Sequence, residues 1–217
     1  MPRLVIAITF LLIAAAPAQA AEVSLALKPS NGLQMGGAHH FSGKLTENGQ
    51  PQAGQVVNLE VRRFPYEGGF EPLDQATTGD QGQFSFFRTL DRNHEVRVTA
   101  ANATSSVRTA FVFPRFKLSF KALGGGRVRL TQRYRAADDA ILTARTWFYL
   151  GARKATTGRL RARVSTKQTG KGRFLSSAVV RIPKSFKGRF RYATCLPGEQ
   201  TSGMGNPAAK CHRKFRF

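Results

Sequence analysis

Arg159-Leu160-Arg161-Ala162-Arg163-Val164 alternates a cation with an apolar residue at every step. A period of two belongs to an extended strand, whose successive side chains point to opposite faces. Such a segment buries one face and shows the other to water. The same pattern recurs: Phe116, Leu118 and Phe120 alternate with Arg115, Lys117, Ser119 and Lys121, and Val128 and Leu130 with Arg127 and Arg129. Nearer the start, Val23, Leu25 and Leu27, then Val57, Leu59 and Val61, then Val96 and Val98, alternate with polar neighbours. Thr146-Trp147-Phe148-Tyr149-Leu150 reads as a central strand. Asn48-Gly49 and Gly79-Asp80-Gln81-Gly82 supply turns, and no window holds a helical period. The expectation is an all-β chain of short strands, arranged as a sandwich or barrel.

The end of the chain sharpens this. Arg189-Phe190-Arg191-Tyr192-Ala193-Thr194-Cys195 and Cys211-His212-Arg213-Lys214-Phe215-Arg216-Phe217 each carry one of the two cysteines. They read as a hairpin closed at its loop end by a Cys195–Cys211 disulfide. Phe190, Tyr192, Phe215 and Phe217 are expected inside, and Arg189, Arg191, Lys214 and Arg216 outside. The cysteines enclose 15 residues, and closing such a loop is worth about 3 kcal/mol in the chain-entropy account. A zinc site would need two further ligands, and His212 is the only histidine near either cysteine, so the disulfide is preferred. The loop between them, 196–210, reads as either a binding tip or a connector.

A disulfide needs an oxidising compartment. Arg3, the apolar run Leu4–Ala16 and Ala18-Gln19-Ala20 have the form of a secretory signal cleaved after Ala20. That run is shorter than the roughly 20 residues of a membrane span, and no later stretch qualifies. The mature chain is therefore expected to be secreted, extracellular or periplasmic.

Charge divides the chain at Phe113-Pro114-Arg115. Residues 21–113 hold 8 Lys/Arg against 9 Asp/Glu, a net of −1, whereas residues 114–217 hold 25 against 3, a net of +22. Two domains are expected, 21–113 and a strongly basic 114–217.

The first segment carries Gly43-Lys44-Leu45-Thr46-Glu47-Asn48-Gly49-Gln50-Pro51, Gly54-Gln55-Val56-Val57-Asn58-Leu59 and Thr78-Gly79-Asp80-Gln81-Gly82-Gln83-Phe84-Ser85-Phe86. It resembles the carboxypeptidase-regulatory-like and bacterial immunoglobulin-like modules of exported proteins. The resemblance implies an immunoglobulin-like β-sandwich over about 23–113, serving as a spacer, adhesion or accessory unit without catalytic residues. Ser24–Lys28 parallels Lys117–Lys121, and Gly82-Gln83-Phe84-Ser85 parallels Gly172-Arg173-Phe174-Leu175-Ser176. The second segment is thus expected to be a diverged copy, giving two consecutive immunoglobulin-like sandwiches.

Little in the chain promises catalysis. His39, His40, His94 and His212 form no metal-ligand spacing, no G-x-S-x-G elbow occurs, and Gly124-Gly125-Gly126 and Gly170-Lys171-Gly172 read as hairpin turns. His39-His40 is expected as a strand-edge pair pointing to opposite faces. Asp138-Asp139 is expected in a loop, pairing with Arg145. No enzyme, cofactor or metal is expected.

The cations of the strands are the functional signal. Lys117, Lys121, Arg127, Arg129, Arg159, Arg161, Arg163, Arg189, Arg191, Lys214 and Arg216 should face outward. Arg outnumbers Lys 23 to 11, and its planar fork suits phosphate, sulfate and carboxylate. The expected partner is an anionic polymer or surface: wall polysaccharide, lipid phosphate or nucleic acid. The alternative is a structural or adhesion protein of the envelope that binds another protein, its charge incidental. Alternating aromatics should point into the core, so they are not expected to serve as stacking platforms for bases.

Overall fold

The computed structural model describes residues 21–140, 145–151, 159–182, 191–196, 203–205 and 212–216. The expected signal peptide, Arg189, Phe190, Cys211 and Phe217 lie outside them. Among the described residues there is no helix, and so none long and apolar enough to cross a membrane.

Twelve strands precede Pro114: β1 (Ala21–Val23), β2 (Ala26–Lys28), β3 (Leu33–Gln34), β4 (Ala38–Glu47), β5 (Gln50–Pro51), β6 (Val56–Arg63), β7 (Glu71–Thr77), β8 (Gln83–Thr89), β9 (His94–Ala100), β10 (Ala103–Thr104), β11 (Arg108–Ala110) and β12 (Val112–Phe113). One sheet is built on β4, which pairs with β1, β2, β5 and β8; a second joins β7, β6, β9, β10 and β11. All these pairings are antiparallel, and only β3 with β12 is parallel. The alternating positions fill the space between the two sheets: Phe41, Val57, Leu59, Val96 and Val98 are all buried completely.

Turn chemistry follows the sequence. Asn48 and Gly49, both at positive φ, join β4 to β5, and Gly82 closes the turn into β8 at φ 69. The Val23-Leu25-Leu27 alternation is not one strand. β1 pairs with Leu45–Glu47 and β2 with His40–Ser42 in one continuous register, with the ladder interrupted at Ser24 and Leu25. The Ser24 N–H donates to the Lys44 carbonyl at 2.9 Å. Gly43 permits that approach, since a Cβ there would stand 2.0 Å from the Ser24 carbonyl oxygen.

Eight strands follow: β13 (Arg115–Gly124), β14 (Arg127–Arg135), β15 (Arg145–Gly151), β16 (Arg159–Ser165), β17 (Lys167–Gly170), β18 (Arg173–Arg181), β19 (Arg191–Leu196) and β20 (His212–Arg216). They form two antiparallel four-stranded sheets, β13-β14-β18-β17 and β16-β15-β19-β20. Leu118, Val128, Leu130 and Val180 on the first pack against Ala162 and Val164 of β16 on the second. The molecule is all-β, two sandwiches in succession. Strands on either side of Pro114 belong to different sheets.

Three details refine the sequence reading. First, His39-His40 is not at a strand edge. β4 is paired on both sides, with His40 opposite Lys28 on one and Phe87 on the other. The two rings do part to opposite faces: His39 is buried, and His40 stacks on Phe87 at 4.3 Å.

Second, Asp139 turns to the first sandwich; its expected pairing with Arg145 rests on a side chain outside the described ones. Asp139 binds the guanidinium of Arg92, with Arg63 at 3.7 Å. Arg92 is buried, so a carboxylate partner there is worth more than one in water. Burial alone would raise the Asp139 carboxyl, but the hydrogen bond from Arg92 and the nearby positive charges hold it below its ordinary value.

Third, the terminal hairpin pairs Tyr192 with Arg216 and Ala193 with Phe215. Residues directly opposite share a face of an antiparallel ladder; the expected burial of Tyr192 and Phe215 and exposure of Arg191, Lys214 and Arg216 concern side chains outside the described ones. The same register sets Cys195 opposite Arg213, two residues from Cys211. A pair bridging Cys195 and Cys211 and a pair stacking Tyr192 on Phe215 differ in register by one residue. A single unbroken ladder cannot hold both, because a one-residue slip exchanges the faces.

The two sandwiches are joined by shared burial. Tyr134, Ala136, Ala137, Ala140 and Phe174 belong to the same core cluster as the first sandwich, and so does Met204. Asn93 fastens the Met204 segment: its N–H donates to the Gly203 carbonyl at 2.7 Å, its amide nitrogen to the Gly205 carbonyl at 2.7 Å, and its amide oxygen accepts from Val112 at 2.8 Å. This part of the 196–210 loop docks on the first sandwich.

Candidate polyanion-binding face

The outer face of the β13-β14-β18-β17 sheet is built by parity. Leu118, Val128, Leu130 and Val180 point inward, so their neighbours along each strand point to solvent. The register arranges those neighbours in rows across the sheet. Arg115 stands opposite Arg135, and Arg135 opposite Arg173. Lys117 stands opposite Arg133, Lys121 opposite Arg129, and Arg127 opposite Arg181. Lys167 on β17 extends the second of these rows through Leu175. All ten cations are exposed. No Asp or Glu occurs on this sheet, since the second half holds acids only at 138, 139 and 199. Among the described residues, none of these ten cations has an ion pair.

Like charges directly opposite one another destabilise a sheet, and five such pairs stand here. Edge strands often carry lysine to discourage sheet-to-sheet pairing, which would account for β13. It does not account for β14, which is paired on both sides and carries Arg127, Arg129, Arg133 and Arg135. Neighbouring strands lie about 4.8 Å apart, so a three-residue row spans roughly 10 Å. The cations therefore sit within about one screening length of each other at physiological salt.

One end of the face is recessed. A groove of about 590 Å³ is lined by Arg115, Lys117, Arg133, Arg135 and Arg173, with Thr169, Leu175 and the strand segments at Phe116, Tyr134 and Phe174. Gly172 shapes this end. It sits at φ 59 in the β17–β18 turn, against Ala136 and Asp138, and accepts the Ala136 N–H at 2.8 Å.

Of the residues the sequence nominated, Lys117, Lys121, Arg127 and Arg129 are brought together on this face. Arg159, Arg161 and Arg163 lie on β16, Arg191 on β19, and Lys214 and Arg216 on β20. Those six belong to the other sheet, so the nominated cations do not share one face. Arg189 lies outside the described residues. Sequence reasoning missed Arg115, Arg133, Arg135, Lys167, Arg173 and Arg181. The signal for two of them was available: Arg133 and Arg135 continue the parity of Arg127 and Arg129 once Thr131 is allowed an outward place. Gln132, buried and opposite Leu118, breaks the apolar half of the pattern and conceals the continuation.

The histidines are placed for structure. His39 donates from Nε2 to the Phe111 carbonyl at 3.2 Å, and His94 from Nδ1 to the Arg92 carbonyl at 2.8 Å. Burial pushes both imidazoles below their ordinary value. Among the described residues, no three His, Cys, Asp or Glu side chains are grouped to hold a metal ion.

No protein-family model matches this chain, and no curated protein matches it. A crystal structure of red sea bream transglutaminase matches 89% of this chain and 30% of its own, at 8% identity and a TM-score of 0.37. This chain thus spans under a third of that protein's length, and a likeness at this level bears on neither activity nor partners.

Proposed function

We propose that this is an exported, non-enzymatic binding protein whose basic β13-β14-β18 face holds an anionic polymer or surface of the cell envelope or exterior. The observation that carries the reading is the run of like-charged cross-strand pairs, from Arg115–Arg135 to Arg127–Arg181, with no acid among them. Such a face is costly in the free protein and is relieved by a polyanion, which replaces repulsion with charge-assisted hydrogen bonds. The first sandwich, read as an immunoglobulin-like or carboxypeptidase-regulatory-like module, acts as the spacer. Cys195 and Cys211 form a disulfide in this reading, after export and cleavage behind Ala20.

The test uses the whole mature chain, because Tyr134, Phe174 and Met204 share a core with the first sandwich and separated halves would expose it. Binding to immobilised dextran sulfate and to polyphosphate is measured across a salt series. The expected result is affinity that falls steeply with salt and drops when Arg129 and Arg133 are both changed to Glu. Equal binding by that variant and the parent, or no binding to either polymer at low salt, overturns the reading.

A further inference from the structure

The groove at the end of the cationic face has a neighbour. A second groove, of about 410 Å³, is lined by Met35, Gly36, Thr89, Leu90 and Asp91 of the first sandwich together with Arg115 and Arg135. Among the described residues, those two arginines alone line both grooves. Gly36 lies beside Arg115: a Cβ at that position would stand 4.0 Å from Nη1, an ordinary contact distance. Each volume falls within the range of about 300–1,000 Å³ usual for ligand sites.

The two grooves differ in charge. Among the described residues, the first is lined by five cations and no carboxylate. The second holds Asp91. Burial would raise that carboxyl, but Arg63 donates to it at 2.6 Å, and Arg63, Arg92 and His94 lie close, so it stays below its ordinary value and ionised. An ionised carboxylate accepts hydrogen bonds from hydroxyls, and Asp91 has its charge offset by Arg63 and Arg92. Thr89 adds a hydroxyl, and Met35 and Leu90 add apolar surface for the C–H face of a ring.

We propose that Arg115 and Arg135 clamp the oxyanion of a charged saccharide unit in the first groove, with its neutral, hydroxylated ring in the second. This rests on the polyanion reading and narrows it to a glycan. A nucleic acid or polyphosphate strand running through both grooves would lay a further charged phosphate on the apolar surface of Met35 and Leu90. A sugar bearing one phosphate, sulfate or carboxylate meets a cation on one side and a hydroxyl acceptor on the other.

The experiment is isothermal titration of the full mature chain at fixed ionic strength. The probes are a monosulfated disaccharide, its phosphorylated and uronic acid counterparts, the neutral disaccharide and inorganic sulfate. The expected result is one-to-one binding of at least one charged disaccharide, about tenfold or more tighter than inorganic sulfate, with no binding of the neutral one; which oxyanion binds best identifies the ester. Arg135→Ala weakens that binding about tenfold, Arg135→Lys weakens it less because it keeps charge but loses the fork, and Arg108→Ala on the first sandwich leaves it unchanged. If inorganic sulfate binds as tightly as the best disaccharide, or Arg135→Ala and Arg135→Lys both bind like the parent, the proposal is overturned. Retained binding of dextran sulfate with no binding of any disaccharide overturns this site alone, whereas loss of both removes the polyanion reading with it.

Discussion

Lys121 lies directly opposite Arg129 in the β13–β14 ladder, two exposed cations on one face with no acid beside them. Cross-strand pairs of opposite charge contribute roughly 0.2–1 kcal/mol and like pairs cost a similar amount. Lys121→Glu is therefore expected to raise the melting temperature of the free protein at low salt. The gain should shrink at high salt, as screening weakens both the old repulsion and the new attraction. The same variant should bind dextran sulfate less tightly. A lower melting temperature at low salt would show that the face is not under electrostatic strain.

Met204 is buried in the core of the first sandwich although it belongs to the loop between β19 and β20. Truncating a buried methionine costs about 2–5 kcal/mol, depending on how far the site collapses. Met204→Ala should lower the stability of the whole chain in urea by an amount in that range. Asn93→Ala, which removes the side chain bonded to Gly205 and Val112, should act in the same direction. If the docked loop were incidental, both variants would unfold at the parent midpoint.

The register that pairs Cys195 with Arg213 leaves Cys211 two residues away on the partner arm. Intact mass measured with and without reductant should differ by two hydrogens in the oxidised, mature protein. Reduction should destabilise it by about 3 kcal/mol for a 15-residue loop. Full thiol reactivity of the native protein under denaturing, non-reducing conditions would refute the bond.

How much was legible in the sequence follows from what a period of two does and does not encode. It assigns strands and most of their inward residues: Leu118, Val128 and Leu130 follow from the alternation alone and are buried, whereas Phe120 of the same series, expected in the core, is exposed. It does not encode which strands are neighbours. Lys117 and Arg163 look equivalent in the sequence, yet they lie on different sheets. Nor does it encode register: the β19–β20 ladder sets Cys195 opposite Arg213, two residues from Cys211. The groove depends on Arg115, Arg135 and Arg173, drawn from three strands separated by long stretches of chain. The docking of Met204 depends on a polar loop with no periodicity at all.

Gly172 holds the turn between β17 and β18 at φ 59, and a Cβ there would stand 2.5 Å from the Ala136 carbonyl oxygen. Alanine at a position that requires positive φ loses more than about 1 kcal/mol, and the contact with backbone adds to it. Gly172→Ala should therefore destabilise the chain in urea. It should also weaken binding at the recessed end of the face, because Arg173 follows this turn directly. A variant as stable as the parent would mean that the turn relaxes freely.

Acidification should destabilise the fold before the carboxylates titrate. His39 and His94 are both buried, and burial lowers each from an ordinary value of 6.5. Nε2 of His39 donates to Phe111, while its Nδ1 is buried without a hydrogen-bond partner. Protonation would put an N–H and a charge at that atom with nothing to accept them. The sign follows from linkage. Between the lowered folded value and 6.5 the unfolded chain binds more protons than the folded one, so stability rises with pH in that window and is lost as pH falls through it. Unfolding free energy measured by urea titration should therefore decline from about pH 7 downward. His39→Leu should flatten part of that slope, even though it starts from a lower stability because the Phe111 carbonyl loses one donor and keeps only the Leu33 N–H at 3.0 Å. A slope unchanged in His39→Leu would assign the pH dependence to other groups and leave the buried His39 without a role in it.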